Sequence, residues 1–271
     1  MDQDRIVVTG GTGVLGRAVV GRLPTEGQPV RVVSRRPRPG SGAEAYEWAT
    51  ADLRSGAGAG AGAAEAVRGA RAVIHCASGF RRGEEEAMAR TVVAAARGAA
   101  APPHLVYVSI VGVDRIPFGY YKAKLAAEQV FAASGLPFTV QRATQFHDLL
   151  RALFAFSAKA PAAPVPALRF QPIDVRDVAV RLAELALAEP VDGRAPDIGG
   201  PEVRDARELA RVYLAATGRG RRPVLPVGVP GRVFGAFRAG ENLVPGEPYG
   251  RIRFEEYLAG LDAPRSASYR G

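Results

Sequence analysis

An α/β fold built on a doubly wound parallel sheet is what this sequence predicts, and three observations carry that expectation. Short apolar, β-rich runs alternate with segments of helical periodicity. A glycine-rich turn joins the first such run to the first helix. At 271 residues the chain can also bury a large core without disulfides or metals to staple it. Strands alternating with helices imply a parallel sheet covered on both faces, with ligands held beyond the carboxyl ends of the strands.

Taken in order, Arg5 to Thr9 reads as the first strand, and Val14 to Leu23 carries apolar residues at helical spacing. Further strands are expected at Val30 to Ser34, Ala72 to Cys76, His104 to Ser109 and Phe138 to Arg142. Helices are expected at Glu84 to Ala99 and from about Tyr120 to Ser134. Ser55 to Ala64 is almost only Gly and Ala, too costly in entropy to order as a helix throughout, and reads as a flexible insertion. After about Leu149 the rhythm changes. Pro161, Pro164 and Pro166 mark a loop, Val178 to Ala188 and Asp205 to Thr217 read as helices, and Pro223 to Pro230 as extended chain. Asp205 with Glu208 three residues on has the pattern of a capped helix start. The expected organisation is a dinucleotide-binding Rossmann region over 1–150 and a smaller, mainly substrate-binding C-terminal region over 151–271, integrated as one structural unit.

Composition narrows the function classes. The net charge of +9 is spread along the chain and not gathered into one basic helix, so it fits solubility and phosphate attraction and predicts no nucleic-acid partner. Lysine stands only at 122, 124 and 159, the other basic residues being arginine, which with abundant Ala, Gly and Pro fits a GC-rich bacterial genome. The single cysteine, Cys76, lies in an apolar run and reads as a buried core thiol. A reducing cytoplasm is expected, and neither export nor membrane insertion. Three dispersed histidines and one cysteine form no metal-ligand pattern, and no nucleophile elbow is visible.

Chemistry concentrates first at Thr9-Gly-Gly-Thr-Gly-Val-Leu-Gly16. It satisfies both G-x-x-G-x-x-G through Gly10, Gly13 and Gly16 and G-x-G-x-x-G through Gly11, Gly13 and Gly16. Between a strand and a helix, such a turn can hold a pyrophosphate with backbone N–H groups and the helix dipole, so Gly10, Thr12, Gly13, Val14, Leu15 and Gly16 are expected cofactor contacts. The bland alternative is a tight βα turn with no ligand. Where an NAD-preferring site carries an acidic residue, this chain reads Ser34-Arg-Arg36. Arg35 and Arg36 suit a 2′-phosphate, with Ser34 as a further donor, unless they are only surface arginines. Hence NADP(H) is the preferred cofactor and NAD(H) the lesser one. Asp52, beside Leu53, is a candidate partner for the adenine amino group, or an ordinary loop aspartate.

At Tyr120-Tyr-Lys-Ala-Lys-Leu-Ala-Ala-Glu128 the sequence resembles the short-chain dehydrogenase/reductase superfamily, whose Y-x-x-x-K pair is matched by Tyr120 and Lys124. Four residues apart on a helix puts both side chains on one face, where the ammonium can favour loss of the phenol proton and contact the nicotinamide ribose. More narrowly, Leu105 to Gly112, Arg142 to Phe146, Pro172 to Ala179 and Ile198 to Glu202 resemble the atypical, NmrA-like branch. That branch includes NADPH-dependent reductases, quinone reductases and redox sensors. The resemblance implies that Ala77, Ser78, Ala143, Gln145 and Phe146 border the nicotinamide. Its departure concerns the third catalytic group: the nearest candidate is Ser109, followed by Ile110 and Val111, which can equally serve only to fix the strand end. His147, just beyond the sixth strand, is a candidate substrate contact against a packed or capping role, and His75 and His104 read as structural.

The function expected is an NADPH-dependent reductase that delivers hydride to a carbonyl or quinone of a small hydrophobic natural-product substrate, aromatic ones included, with Tyr120 as proton donor and Lys124 holding the ribose. Antibiotic or polyketide tailoring is a compositional guess, and the oligomeric state is monomer or homodimer. The alternatives are an NADP(H)-sensing regulator without turnover, and an oxidoreductase of unusual chemistry such as oxygenation.

Overall fold

The computed structural model describes residues 5–38, 46–54 and 60–261. It divides into two compact units whose segments alternate along the chain. The first comprises Met1–Ser109, Gly119–Arg142 and Ala179–Pro196, the second Ile110–Phe118, Ala143–Val178 and Asp197–Gly271.

The first unit is organised around a seven-stranded parallel sheet. Its strands are β1 (Arg5–Thr9), β2 (Val30–Ser34), β3 (Glu47–Thr50), β4 (Ala70–His75), β5 (His104–Ile110), β6 (Phe138–Ala143) and a short edge piece, β9 (Gly193–Arg194), in the spatial order β3-β2-β1-β4-β5-β6-β9. From β1 the chain winds outward through β2 and β3, then returns to lay β4 on the other side of β1. The carboxyl ends of β1 and β4 therefore flank the topological switch point, where open α/β sheets bind ligands. The runs Ile6-Val-Val8 and Ala72-Val-Ile74 are buried on both sheet faces, as a parallel strand covered on both sides requires.

Helices α1 (Val14–Arg22), α2 (Gly60–Val67), α3 (Glu84–Arg97) and α4 (Gly119–Ala132) cover this sheet. A core of Val7, Val73, Met88, Val92, Leu105, Tyr107, Ala127 and Phe131 fills the layer between α3, α4 and the strands. Part of the Gly/Ala stretch departs from expectation. Gly60–Val67 is helical, because Ala63, Ala66 and Val67 bury fully against the sheet and tertiary packing outweighs glycine's poor propensity. The remainder, 55–59, lies outside the described residues.

In the second unit, α5 (His147–Ser157) and α7 (Ala206–Ala216) pack around Leu150, Phe154, Leu209, Tyr213 and Phe254, with α9 (Phe254–Ala259) closing the cluster. Helix α6 (Val175–Leu187) begins in this unit, and α8 (Arg232–Arg238) contributes Phe234 and Phe237 to its margin. The proline-rich stretch is not the loop expected. Ala163–Pro166 is strand β7, paired in parallel with β11 (Val224–Val227) in a two-stranded sheet, where both strands are edges and tolerate proline. A second small pair joins β8 (Arg169–Phe170) to β10 (Arg204–Asp205). Asp205 does occupy the N-cap of α7, but its side chain makes no capping hydrogen bond.

Candidate active site

The glycine turn occupies the end of β1 and leads into α1. Gly10 takes φ +67°, and a Cβ there would come within 2.6 Å of the Ala77 backbone just past β4. A Cβ at Gly16 would approach the Gly10 carbonyl oxygen to 2.1 Å. These two glycines let the turn close on itself and on the neighbouring strand. Gly13 differs. It is the exposed N-cap of α1 at φ −78°, and the only contact an added Cβ would find is the Gly10 oxygen at 3.3 Å. Its lack of a side chain therefore keeps open a surface bounded by the first N–H groups of α1, those of Val14, Leu15 and Gly16, which have no intrahelical acceptor. That open, donor-lined cradle fits a dinucleotide pyrophosphate.

Past the end of β2, the neighbour of β1, Arg35 and Arg36 are exposed, and the Arg36 N–H donates to Ser34 Oγ at 3.2 Å. Ser34 is thereby engaged in ordering the arginine turn. Asp52 lies in the loop after β3, with Leu53 buried beside it. Arg54 donates to both oxygens of Asp52, at 3.0 and 2.8 Å, and holds its carboxyl well below the usual range, at about 2.

A second cluster forms where α3 and α4 meet the ends of β4 and β5. Tyr120 stands in the first turn of α4, half-buried, and Lys124 follows one turn on with 5% of its surface exposed. Burial opposes the Lys124 charge, but the Glu85 carboxylate and the Tyr107 and Tyr120 phenols outweigh it and hold the ammonium above its ordinary range. Its Nζ lies 3.7 Å from Glu85 Oε2 and 4.5 Å from the centre of the Tyr107 ring. Glu85 has no solvent exposure. It accepts from Ser78 Oγ at 2.5 Å, from the Gly79 N–H at 3.1 Å and from the Tyr107 hydroxyl at 3.4 Å. Ser78 Oγ in turn lies 2.6 Å from Tyr120 Oη. One helical turn beyond Lys124, Glu128 forms a doubly hydrogen-bonded pair with Arg142 of β6, at 2.9 and 2.7 Å, which fixes the rotation of α4 about its axis.

Glu85 is the residue that sequence reasoning missed. It is the middle of three glutamates opening α3, a place where acidic residues are expected merely because they suit the helix dipole. Nothing in that run marks the central one as buried. Ser109 sits in β5 with 2% exposure, its Oγ buried and without a hydrogen-bond partner. Cys76 is half-buried, and burial pushes its thiol up to about 12. His104 hydrogen-bonds Thr139 at 2.9 Å, a core position like that of His75.

The remaining expected contacts belong to the second unit. Ala143 and Gln145 are buried there, and the Gln145 backbone oxygen accepts from Ile173 N at 2.9 Å, while Phe146 is the N-cap of α5. His147 has 0% exposure, donates from Nε2 to the Ile252 oxygen at 2.9 Å, and rests against the Phe254 and Tyr257 rings. Of the two roles weighed for it, the packed one matches this geometry. Among the described residues no group of His, Cys, Asp or Glu could hold a metal ion, and no helix is long and apolar enough to cross a membrane.

A glycine cradle at the switch point, together with a tyrosine–lysine pair at the start of α4, is the arrangement of a dinucleotide-binding α/β protein. The model of the NAD(P)H-binding family matches residues 10–184. The chain is 31% identical over 227 residues to the (4-alkanoyl-5-oxo-2,5-dihydrofuran-3-yl)methyl phosphate reductase of Streptomyces griseus, a match covering 79% of this chain and 74% of that one. It is 30% identical over 233 residues to an uncharacterised protein of Mycobacterium tuberculosis, covering 83% of this chain but 24% of the much longer relative. Among solved structures, the NADPH complex of the Escherichia coli NADPH-dependent quinone oxidoreductase aligns with a TM-score of 0.76 at 18% identity, over 94% of this chain and 98% of the other. The UDP-N-acetylglucosamine 4-epimerase of Bacillus cereus aligns with a TM-score of 0.69 at 18% identity, over 95% and 97%. Likeness at such identities establishes the fold. The chain belongs to the NAD(P)H-binding family.

Proposed function

We propose that this protein is an NADPH-dependent reductase acting on a small, electron-poor carbonyl compound or quinone, with Tyr120 as the proton donor. The observation that carries the reading is the buried Lys124 ammonium one helical turn from the half-buried Tyr120 hydroxyl. An ammonium is costly to bury, and binding a dinucleotide does not require one beside a phenol; donating a proton does, because the ammonium offsets the charge left on Tyr120. When bound, the nicotinamide supplies the hydride. Arg35 and Arg36 would hold the 2′-phosphate, the α1 N-terminus the pyrophosphate, and Lys124 the ribose. Asp52 and Leu53 would lie along the adenosine, and Ala77 and Ser78 along the nicotinamide.

Phe80 is 62% exposed, and its ring stacks on that of Tyr120 with centroids 5.3 Å apart. An exposed aromatic face next to the donor favours a flat, apolar substrate. The Streptomyces relative is named for an acylated oxo-dihydrofuran carrying a phosphate, which makes conjugated lactones of natural-product type a class to test beside quinones and aromatic ketones. One observation favours the sensing alternative: Ser109 Oγ is buried, which leaves it poorly placed as a carbonyl-polarising third group. The experiment that separates the two is loss of reduced-nicotinamide absorbance across a panel of quinones, aromatic ketones and acyl-butenolides, run beside a direct measurement of NADPH affinity. Oxidation of NADPH with any of them supports the reductase; tight binding without oxidation supports the sensor.

A further inference from the structure

The contacts around Glu85 have a direction that their chemistry dictates. As partner of the Lys124 ammonium, the Glu85 carboxylate only accepts hydrogen bonds. The single proton of the Ser78 hydroxyl is therefore given to Glu85 at 2.5 Å. The Ser78 oxygen is left as an acceptor, and across 2.6 Å it takes the proton of Tyr120. In the resting arrangement Tyr120 donates to Ser78 and Ser78 donates to Glu85.

That order cannot survive proton transfer. Once Tyr120 gives its proton to the substrate, the Tyr120 O–H bond has broken, a new bond to hydrogen has formed on the substrate, and a phenolate faces Ser78 Oγ. Two acceptors then flank one hydroxyl. We infer that Ser78 is a further catalytic residue, held in place by Glu85: its hydroxyl turns from the Glu85 carboxylate to the Tyr120 oxygen as Tyr120 becomes anionic. This inference rests on the proton-donor reading of Tyr120. No covalent bond at Ser78 changes, since rotation about its Cβ–Oγ bond suffices. Glu85 keeps the Gly79 N–H, the Tyr107 hydroxyl and the Lys124 ammonium as partners when Ser78 leaves it. Water returns the proton to the half-buried Tyr120 at the end of the cycle. Glu85 touches neither substrate nor cofactor in this scheme and is a positioning residue. Its anchoring of Ser78 compensates for a Ser109 hydroxyl that is buried away from the reaction.

The test uses the full-length protein and two readouts. In steady-state turnover, Ser78→Ala should lower kcat about tenfold, the worth of one hydrogen bond to a charged oxygen, with a smaller effect on KM. In a Tyr120→Phe background the same change should do nothing further, because no phenolate forms for Ser78 to meet. Unchanged kcat in Ser78→Ala, or a full additional loss in the double variant, would overturn the inference. The second readout needs no turnover. A downfield hydroxyl-proton resonance in the cofactor-free protein should disappear in both Ser78→Ala and Glu85→Gln. Its persistence in folded Glu85→Gln would show that Glu85 does not hold Ser78, and Glu85→Asp, which shortens the reach while keeping the Lys124 charge partner, covers the case in which the glutamine variant does not fold. A wild-type protein with the resonance but no reductase activity defeats the functional reading and with it the role in turnover, while the Glu85 anchor stands.

Discussion

Thr9 and His75 face each other in register on β1 and β4, and Thr9 Oγ1 lies 2.7 Å from His75 Nδ1. The imidazole stacks on Tyr107 and leans on Phe131, directly below the glycine turn. Burial pushes its pKa down from the usual range near 6.5 to about 4, against a weaker opposing pull from Glu85. Burial also lowers His104 and His147.

These histidines should make the protein acid-labile before its carboxylates titrate. The unfolded chain takes up protons near pH 6.5 while the folded His75 does so only near 4, so stability falls as pH drops through that window, by up to ~1.4 kcal/mol per pH unit for one such group. Urea midpoints measured from pH 7.5 downward should decline, and His75→Gln should have a shallower decline. An identical slope in that variant would show that His75 charges without opening the core.

NADPH should bind at least tenfold more tightly than NADH, about 1.4 kcal/mol, because only the 2′-phosphate can use Arg35 and Arg36. Both guanidinium-bearing residues are exposed and stand beyond the end of β2. Calorimetric titration with the two cofactors measures the ratio, and Arg35→Ala should abolish most of it. Equal affinities in the wild type would assign the arginines to the solvent.

Gly13→Val separates the turn's structural glycines from its ligand-facing one. With φ at −78° and only one close contact for a Cβ, valine at 13 should leave the fold largely intact while its branched side chain blocks the pyrophosphate. Gly10→Val should instead unfold the turn, because of its positive φ and the Ala77 backbone. Circular dichroism and NADPH titration on both variants give the comparison; normal NADPH affinity in folded Gly13→Val would move the cofactor elsewhere.

Tyr120→Phe keeps the ring stacked on Phe80 and removes one hydroxyl, so NADPH affinity should change little while turnover falls by about 10²-fold or more. Lys124→Met should weaken cofactor binding and turnover together. It also strands Glu85, and a broken buried pair costs on the order of 3–5 kcal/mol, so the melting temperature should drop as well. Lys122, exposed on another face of α4, should tolerate arginine in all three measurements. Near-normal turnover in Tyr120→Phe would send the proton through another group.

What was legible in the sequence was what short stretches decide. Arg5–Thr9 and Val30–Ser34 appear with the bounds expected, since a continuous apolar run between turn residues has few other fates. The glycine turn was legible because its chemistry lies within seven consecutive residues. Glu85 was not, because its burial depends on Ser78, Tyr107 and Lys124 arriving from three other elements. The helix at Gly60–Val67 and the strand at Ala163–Pro166 were obscured for the same reason: each is stabilised by a partner far away in sequence, against its own local propensity.

The alternation of the two units along the chain has a bearing on how this protein can be altered. The polypeptide passes from one unit to the other five times, at 109/110, 118/119, 142/143, 178/179 and 196/197. No single splice therefore exchanges one unit for that of a relative, and no truncation yields either one whole. Recombination that grafts a foreign C-terminal half after residue 150 would leave Ile110–Phe118 and Ala143–Leu150 mismatched to their new surroundings and strip Ala179–Pro196 from the sheet unit. New specificity in such a chain has to be acquired by point changes and loop insertions within each passage, under the constraint that each unit is assembled from three separate segments of the chain.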